Sequence, residues 1–242
     1  MNSVKNSIGW ADYTINPIRG LCPVGCSYCY ARRIYKRFKW DETIRWDDSF
    51  IGQVEVIRKP SRIFVGSTME LFGEWVEPGW LNTIFRVVES HPQHTFIFLT
   101  KRPENLARWS PFPPNCWVGY SATDSPTAWN GMAEMVNNHV QAKVKFASFE
   151  PLLGEIGSRM MSTYAEYGIN WLIIGQQTPA SPKTAPKIEW IREIVEASDK
   201  AGIPVFLKNN LSDMELPWNG DYYYEHGDTL TDKLRQEFPE VK

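Results

Sequence analysis

The chain has 242 residues, 43% of them apolar, and a formal net charge of −2. That length can bury a sizeable core and fits one or two domains, with α/β barrels reaching this size as one. No run of about 18 apolar residues is present, so no membrane span is expected, and "MNSVKNSIGW" lacks the apolar centre of a secretory signal, which makes a cytoplasmic, reducing location the default.

In chain order, "DYTINPI" (12–18) is a candidate first strand. A three-cysteine loop follows, and then a basic helical stretch, "YARRIYKRFKW" (30–40). "RIFVGS" (62–67) reads as a buried strand. "WLNTIFRVVESH" (80–91) reads as a helix, with Leu81, Ile84, Phe85 and Val88 on one face. Strands follow at "HTFIFLT" (94–100) and "CWVGYSA" (116–122), a helix at 127–138, and strands at "VKFASFE" (144–150) and "NWLIIGQ" (170–176). A helix over 187–202 stops at Gly202 with Pro204 beyond it, and "PVFLKN" (204–209) is the last strand. Apolar strands alternating with helices predict an α/β fold: a partial or complete TIM-like (β/α) barrel of parallel strands, with about six to seven β/α units. The expectation is a single domain over 1–242 with a short irregular tail from about 211.

Polar residues stand where the strands end: Ser67, Thr68 and Glu70; Thr100 and Lys101; Ser121 and Asp124; Glu150; Gln176 and Gln177; Lys208 and Asn209. In a (β/α) barrel these ends share the face that carries the active site. Strand ends are also polar simply because loops meet water, but a set repeated at every strand favours a shared site. Cys116 reads as a buried small hydrophobe. His91 and His94 read as turn residues, most tryptophans as packing, and Glu74 and Glu77 as loop charge.

The stretch "GLCPVGCSYCYARR" (20–33) holds Cys22, Cys26 and Cys29, spaced C-x3-C-x2-C. Disulfides suit an oxidising compartment. Zinc prefers four nitrogen or sulfur ligands, and no second cysteine pair or H-x3-H exists, so His91, His94, His139 or His226 would have to complete it from afar. Three thiolates on one loop can instead hold three irons of a [4Fe–4S] cluster and leave the fourth open. Gly20 and Gly25 permit the turns, and Pro23 stiffens them.

With Tyr28 before the last cysteine, the motif resembles the signature of the radical S-adenosylmethionine (SAM) superfamily. The wider chain is similar to its phage- and bacterium-associated three-cysteine-motif branch, through "IGWADYTINPIRGLC", "GCSYCYARR", "FVGSTMELFGEWVEP", "HPQHTFIFLTKRPENLARW", "NCWVGYSATD", "FASFEPLLGEI", "WLIIGQQT" and "GIPVFLKN". "GSTMELF" also resembles a segment of the spore photoproduct lyase branch. The resemblance implies that Cys22, Cys26 and Cys29 ligate the cluster and that SAM chelates the fourth iron. It places Tyr28 near the adenine, Ser67, Thr68 and Glu70 near the SAM amino group, and Lys101 near its carboxylate, with Ser121, Glu150, Gln176 and Lys208 completing the cofactor and substrate ring. The implied reaction passes one electron, from a donor such as a flavodoxin or ferredoxin, to SAM. The 5′-deoxyadenosyl radical so formed takes a hydrogen atom from substrate. No acid, base or other catalytic side chain is assigned. Family members tend to have Gly-Gly-Glu where this chain has Gly175, Gln176 and Gln177, so a charge is lost there.

Two readings of the basic helix stand. Its Arg32, Arg33, Lys36, Arg37 and Lys39, interleaved with aromatics, suit a nucleic acid. Alternatively it is a solvated face with Tyr30, Ile34, Tyr35 and Phe38 packed inward. The function expected is a radical SAM enzyme with a nucleobase or nucleic acid as candidate substrate. The alternative is a non-enzymatic zinc or iron–sulfur module acting with an operon partner protein.

Overall fold

The fold comes from a computed structural model, which describes residues 2–3, 8–212, 214, 223–226 and 229–240. In order the elements are β1 (Asn2–Ser3), β2 (Tyr13–Ile15), β3 (Ile18–Arg19), α1 (Tyr30–Phe38), β4 (Arg45–Trp46), α2 (Ser49–Glu55) and β5 (Arg62–Val65). Then come α3 (Pro78–Glu89), β6 (Thr95–Thr100), a 3-10 helix (Pro103–Trp109), β7 (Cys116–Ala122), α4 (Ser125–Asn137) and β8 (Val144–Phe149). The chain continues through α5 (Arg159–Glu166), β9 (Ile169–Ile174), α6 (Ile188–Ala201), β10 (Val205–Leu207), a 3-10 turn (Asn209–Leu211), β11 (Tyr223–His226) and β12 (Thr229–Leu234). This is the α/β class expected, parallel strands alternating with helices as in a partial TIM-like (β/α) barrel. No helix among the described residues is long and apolar enough to cross a membrane.

The chain divides into two compact units, residues 1–119 with 138–143, and residues 120–137 with 144–242. In the first, strands run in the order β1-β2-β5-β6-β7. β2 pairs parallel with β5 (Tyr13 beside Ile63), and β5 pairs parallel with β6 (Ile63 beside Phe96). Ile63, Val65, Phe96, Ile97 and Phe98 are almost wholly buried, as strands covered on both faces must be. Pro78 opens α3 at a position where its missing N–H costs nothing, and the helix buries Leu81, Ile84, Val87 and Val88. Cys116 is fully buried, and that burial pushes its thiol pKa up.

In the second unit β8, β9 and β10 are parallel neighbours. α6 ends at Gly202 in the left-handed conformation (φ 70°), as its sequence predicts. Two helices carried too little signal to be read from sequence. α2 is seven residues with Gly52 inside it, and α5 is an eight-residue run, "RMMSTYAE", with no charge in its first turn beyond Arg159. The tail expected to be irregular holds the antiparallel hairpin β11–β12. It then returns along β10, with the Leu207 N–H donating to the Arg235 carbonyl (2.8 Å) and the Glu237 N–H to that of Val205 (3.0 Å). Residues 215–222 of that tail lie outside the described residues.

α4 packs onto β7's last residues through a missing side chain. A Cβ at Gly131 would stand 2.1 Å from the Tyr120 ring. That ring is fully buried, and its hydroxyl donates to the Ala128 carbonyl (3.0 Å) and meets the Tyr164 hydroxyl at 2.7 Å. Gly131→Ala should therefore destabilise by about 1–3 kcal/mol through overpacking, more than Tyr120→Phe, which loses hydrogen bonding worth about 1 kcal/mol. Urea titration of both variants checks the order.

Candidate functional site

The first unit places three of its groups at the carboxyl ends of neighbouring parallel strands: Asn16 after β2, Ser67 and Thr68 after β5, and Thr100 and Lys101 at the end of β6. Ligand sites of α/β sheets lie at such ends.

The cysteine loop is built from backbone upward. Gly20 has φ 118°, and a Cβ there would lie 2.6 Å from the Thr43 carbonyl oxygen, so only glycine fits. Its N–H donates to the hydroxyl of buried Tyr35 (2.9 Å), and the Leu21 N–H donates to the Glu42 carbonyl (2.9 Å). Cys29 is the residue before α1 and donates its N–H to the Cys26 carbonyl (3.1 Å). The N-terminus of α1 therefore lies at the last cysteine. Arg32, one turn into α1, reaches back and donates to the Cys22 carbonyl (2.8 Å), while Arg33 donates to that of Tyr28 (3.2 Å). Cys22, Cys26 and Cys29 are free thiols, half-buried, and together line one small cavity with Gly25, Arg32 and Thr68 on its wall. Burial pushes the Cys22 thiol pKa up, opposed by hydrogen bonds from the Glu70 and Val24 backbone.

Beside the loop, Asn16 Oδ1 accepts from Ser67 Oγ (3.2 Å), Thr68 Oγ1 (3.1 Å) and the Thr68 N–H (3.1 Å). The Tyr30 hydroxyl of α1 donates to the Ser67 carbonyl (2.6 Å). Glu70 is buried. One of its oxygens accepts from Thr100 Oγ1 (2.7 Å) and the Phe72 N–H (3.0 Å), the other from the Lys101 N–H (2.7 Å). Desolvation pushes its carboxyl pKa up, and these hydrogen bonds oppose it. The Lys101 ammonium sits 5.3 Å from the centre of the Tyr28 ring. Burial raises the Tyr28 phenol pKa, and Lys101 pulls the other way.

The second unit holds the other expected residues. Glu150, just after β8, and Lys208, just after β10, form an ion pair, with the lysine buried. Gly175 lies between them, and a Cβ there would stand 2.9 Å from Lys208 Cδ and 3.4 Å from Glu150 Cγ. Gln176 is buried and donates its side-chain amide to the Asn210 carbonyl, and Asn210 Nδ2 donates to the Gln176 carbonyl (2.7 Å). Gln177 donates to the Pro179 carbonyl (3.4 Å), and Ser121 is half-buried in β7.

The structure thus brings together the three cysteines, Tyr28, Ser67, Thr68, Glu70 and Lys101 in one unit, and Glu150, Gln176 and Lys208 in the other. Asn16, Arg32 and Asn210 were not picked out as site residues. "TINPI" and "ARR" held the signal for the first two, since an asparagine at a strand end and an arginine just inside a helix are both equipped to bond backbone. No three His, Cys, Asp or Glu side chains among the described residues converge as the ligands of a single ion would. The side chain of His226, one of the four histidines weighed as a zinc ligand, lies outside the described residues.

Among solved structures, spore photoproduct lyase complexed with dinucleoside spore photoproduct is similar at 13% identity and TM-score 0.54, over 86% of this chain and 79% of that one. A variant of spore photoproduct lyase with bound AdoMet and dinucleoside spore photoproduct is similar at 14% identity and TM-score 0.50, over 82% of this chain and 63% of that one. At these identities the likeness is one of fold. No curated protein matches the sequence. A family model described as "Protein of unknown function (DUF5131)" matches residues 5–239, and the chain belongs to that family.

Proposed function

We propose that the chain is a radical SAM enzyme in which Cys22, Cys26 and Cys29 each bind one iron of a [4Fe–4S] cluster and SAM takes the fourth. The observation that carries this is the convergence of three free thiols on one cavity, in a loop capped by α1 at the carboxyl ends of β2 and β5. The donor set fits a cluster better than one zinc ion: cubane ligands are spread, one per iron, whereas the ligands of a single ion meet at a point. When bound, the cluster and SAM supply one-electron chemistry that ends in abstraction of a hydrogen atom from substrate.

The chain's own residues orient and shield. The Ser67 and Thr68 hydroxyls give their hydrogens to Asn16, so their oxygens are left as acceptors, which suits the ammonium of SAM. Lys101 offers a cation to its carboxylate, and the Tyr28 ring offers an apolar wall near the adenine. Glu70, with both oxygens engaged by the protein, holds the β5 and β6 loops in register and acts through them. Ser121, Glu150, Gln176 and Lys208 stand as candidate contacts for substrate or cofactor. The fold likeness to spore photoproduct lyase, solved in complex with dinucleoside spore photoproduct, supports a nucleobase or nucleic acid as substrate class.

Anaerobic purification and reconstitution tests the reading. A brown protein with about four irons per chain is expected, forming 5′-deoxyadenosine from SAM under reduction. Colourless protein holding one zinc and no iron would overturn it. Cys26→Ala should lose iron and SAM cleavage together, and SAM cleavage surviving that change would show the loop is misassigned.

Arg32→Ala should leave the Cys22 carbonyl without its charged donor. Such a bond is worth about 1.5–3 kcal/mol when shielded and less when partly exposed, so the expected loss of stability is about 1 kcal/mol. The specific outcome is faster iron loss to a chelator in Arg32→Ala than in Lys36→Ala, an exposed position on the same helix.

A further inference from the structure

Of the side chains expected to pack α1 inward, only Tyr35 is fully covered, together with Ala31. Phe38 is 56% exposed, and Trp40, just past the helix, is 50% exposed. The two rings stack on each other, with centroids 5.8 Å apart and planes 25° from parallel. They are also fixed in place. Lys39 turns the chain through the left-handed region (φ 49°), the Trp40 N–H donates to the Tyr35 carbonyl (3.1 Å), and the Trp40 ring meets the Tyr35 ring edge-on at 5.3 Å. The Arg37 guanidinium lies 5.3 Å from the Phe38 ring centre. Lys36, Arg37 and Lys39 are exposed, and none forms an ion pair among the described residues. Of the carboxylates that follow, Asp41 is bound to Arg45 (2.9 Å), and Glu42 is exposed.

A merely solvated helix face accounts for the charges but not for two stacked, half-open rings, whose apolar area costs free energy in water. We propose that this end of α1 is a stacking platform for single-stranded nucleic acid. The rings offer a π-face that any base can stack on, and Lys36, Arg37 and Lys39 supply the cations for the phosphates on either side. The rigid mounting lowers the ordering cost of binding. A duplex hides its base faces, so it presents only phosphates to the cations. The surface gives a place and a strand type to the nucleic acid reading of the proposed function. It rests on that reading for its purpose, while the binding itself requires neither cluster nor SAM.

The test uses the full chain with a fluorescein-labelled thymidine strand of about 20 nucleotides, longer than the usual footprint of such sites. The comparators are a duplex of equal length and vesicles rich in phosphatidylglycerol. The single strand should bind more tightly than the duplex, and the affinity should fall steeply with salt. Phe38→Ala with Trp40→Ala should weaken binding at least about tenfold with an unchanged circular dichroism spectrum. Phe38→Tyr with Trp40→Phe should retain it, and so should Trp129→Ala, which removes an exposed ring in α4. Equal binding by the double-alanine protein, preference for duplex, association with vesicles alone, or no strand binding at low salt would each overturn the proposal. Strand binding without SAM cleavage would indict the cluster reading instead, and the reverse would indict the platform.

Discussion

A carboxylate taken out of water must find its hydrogen bonds in the protein, and the first unit is arranged around one that does. Glu70 receives the Thr100 hydroxyl and the N–H groups of Phe72 and Lys101, tying the loop after β5 to the end of β6. Its own backbone faces the Cys22 thiol. Removing the carboxylate would strand three donors in a buried place, a larger loss than any one of the bonds. The register of Ser67, Thr68 and Lys101, and part of the surroundings of the cysteine loop, follow from that burial.

Much of this was legible in the sequence, because it depended on periodicity and on residue chemistry. Continuous apolar runs identified the main strands: β7 spans 116–122 as expected, and the ends of the other main strands differ by no more than two residues, as at 204–209, where β10 covers only Val205–Leu207. The cysteine spacing marked the loop. What stayed hidden depended on long-range geometry. Asn16 is 51 residues from the hydroxyl it organises, and nothing near it in sequence says so. Arg32 and Arg33 read as cations for a partner or for solvent, whereas both bond carbonyls of the loop just before them. Phe38, packed inward with Tyr35 in one of the two readings of this helix, is instead 56% exposed.

The second unit follows a different economy. Among the described residues, Lys208 is buried with Glu150 as its ion-pair partner, an arrangement that an apolar set could outdo in stability. The glycine between them leaves them room: a Cβ at 175 would stand 2.9 Å from Lys208 Cδ, so the lysine stem would have to shift. Residues kept at such cost at strand ends are more readily explained by what they hold than by what they stabilise.

α1 has two ends with two characters, cysteine thiols at one and an aromatic ledge at the other. Nine helical residues measure about 14 Å. A base resting on Phe38 would therefore sit well beyond hydrogen-atom reach of anything held by Cys29. If strand and cluster bind as proposed, the helix would act as a ruler: the nucleotide gripped at the ledge would not be the one that reacts, and its grip would fix how far along the strand the reacting position falls.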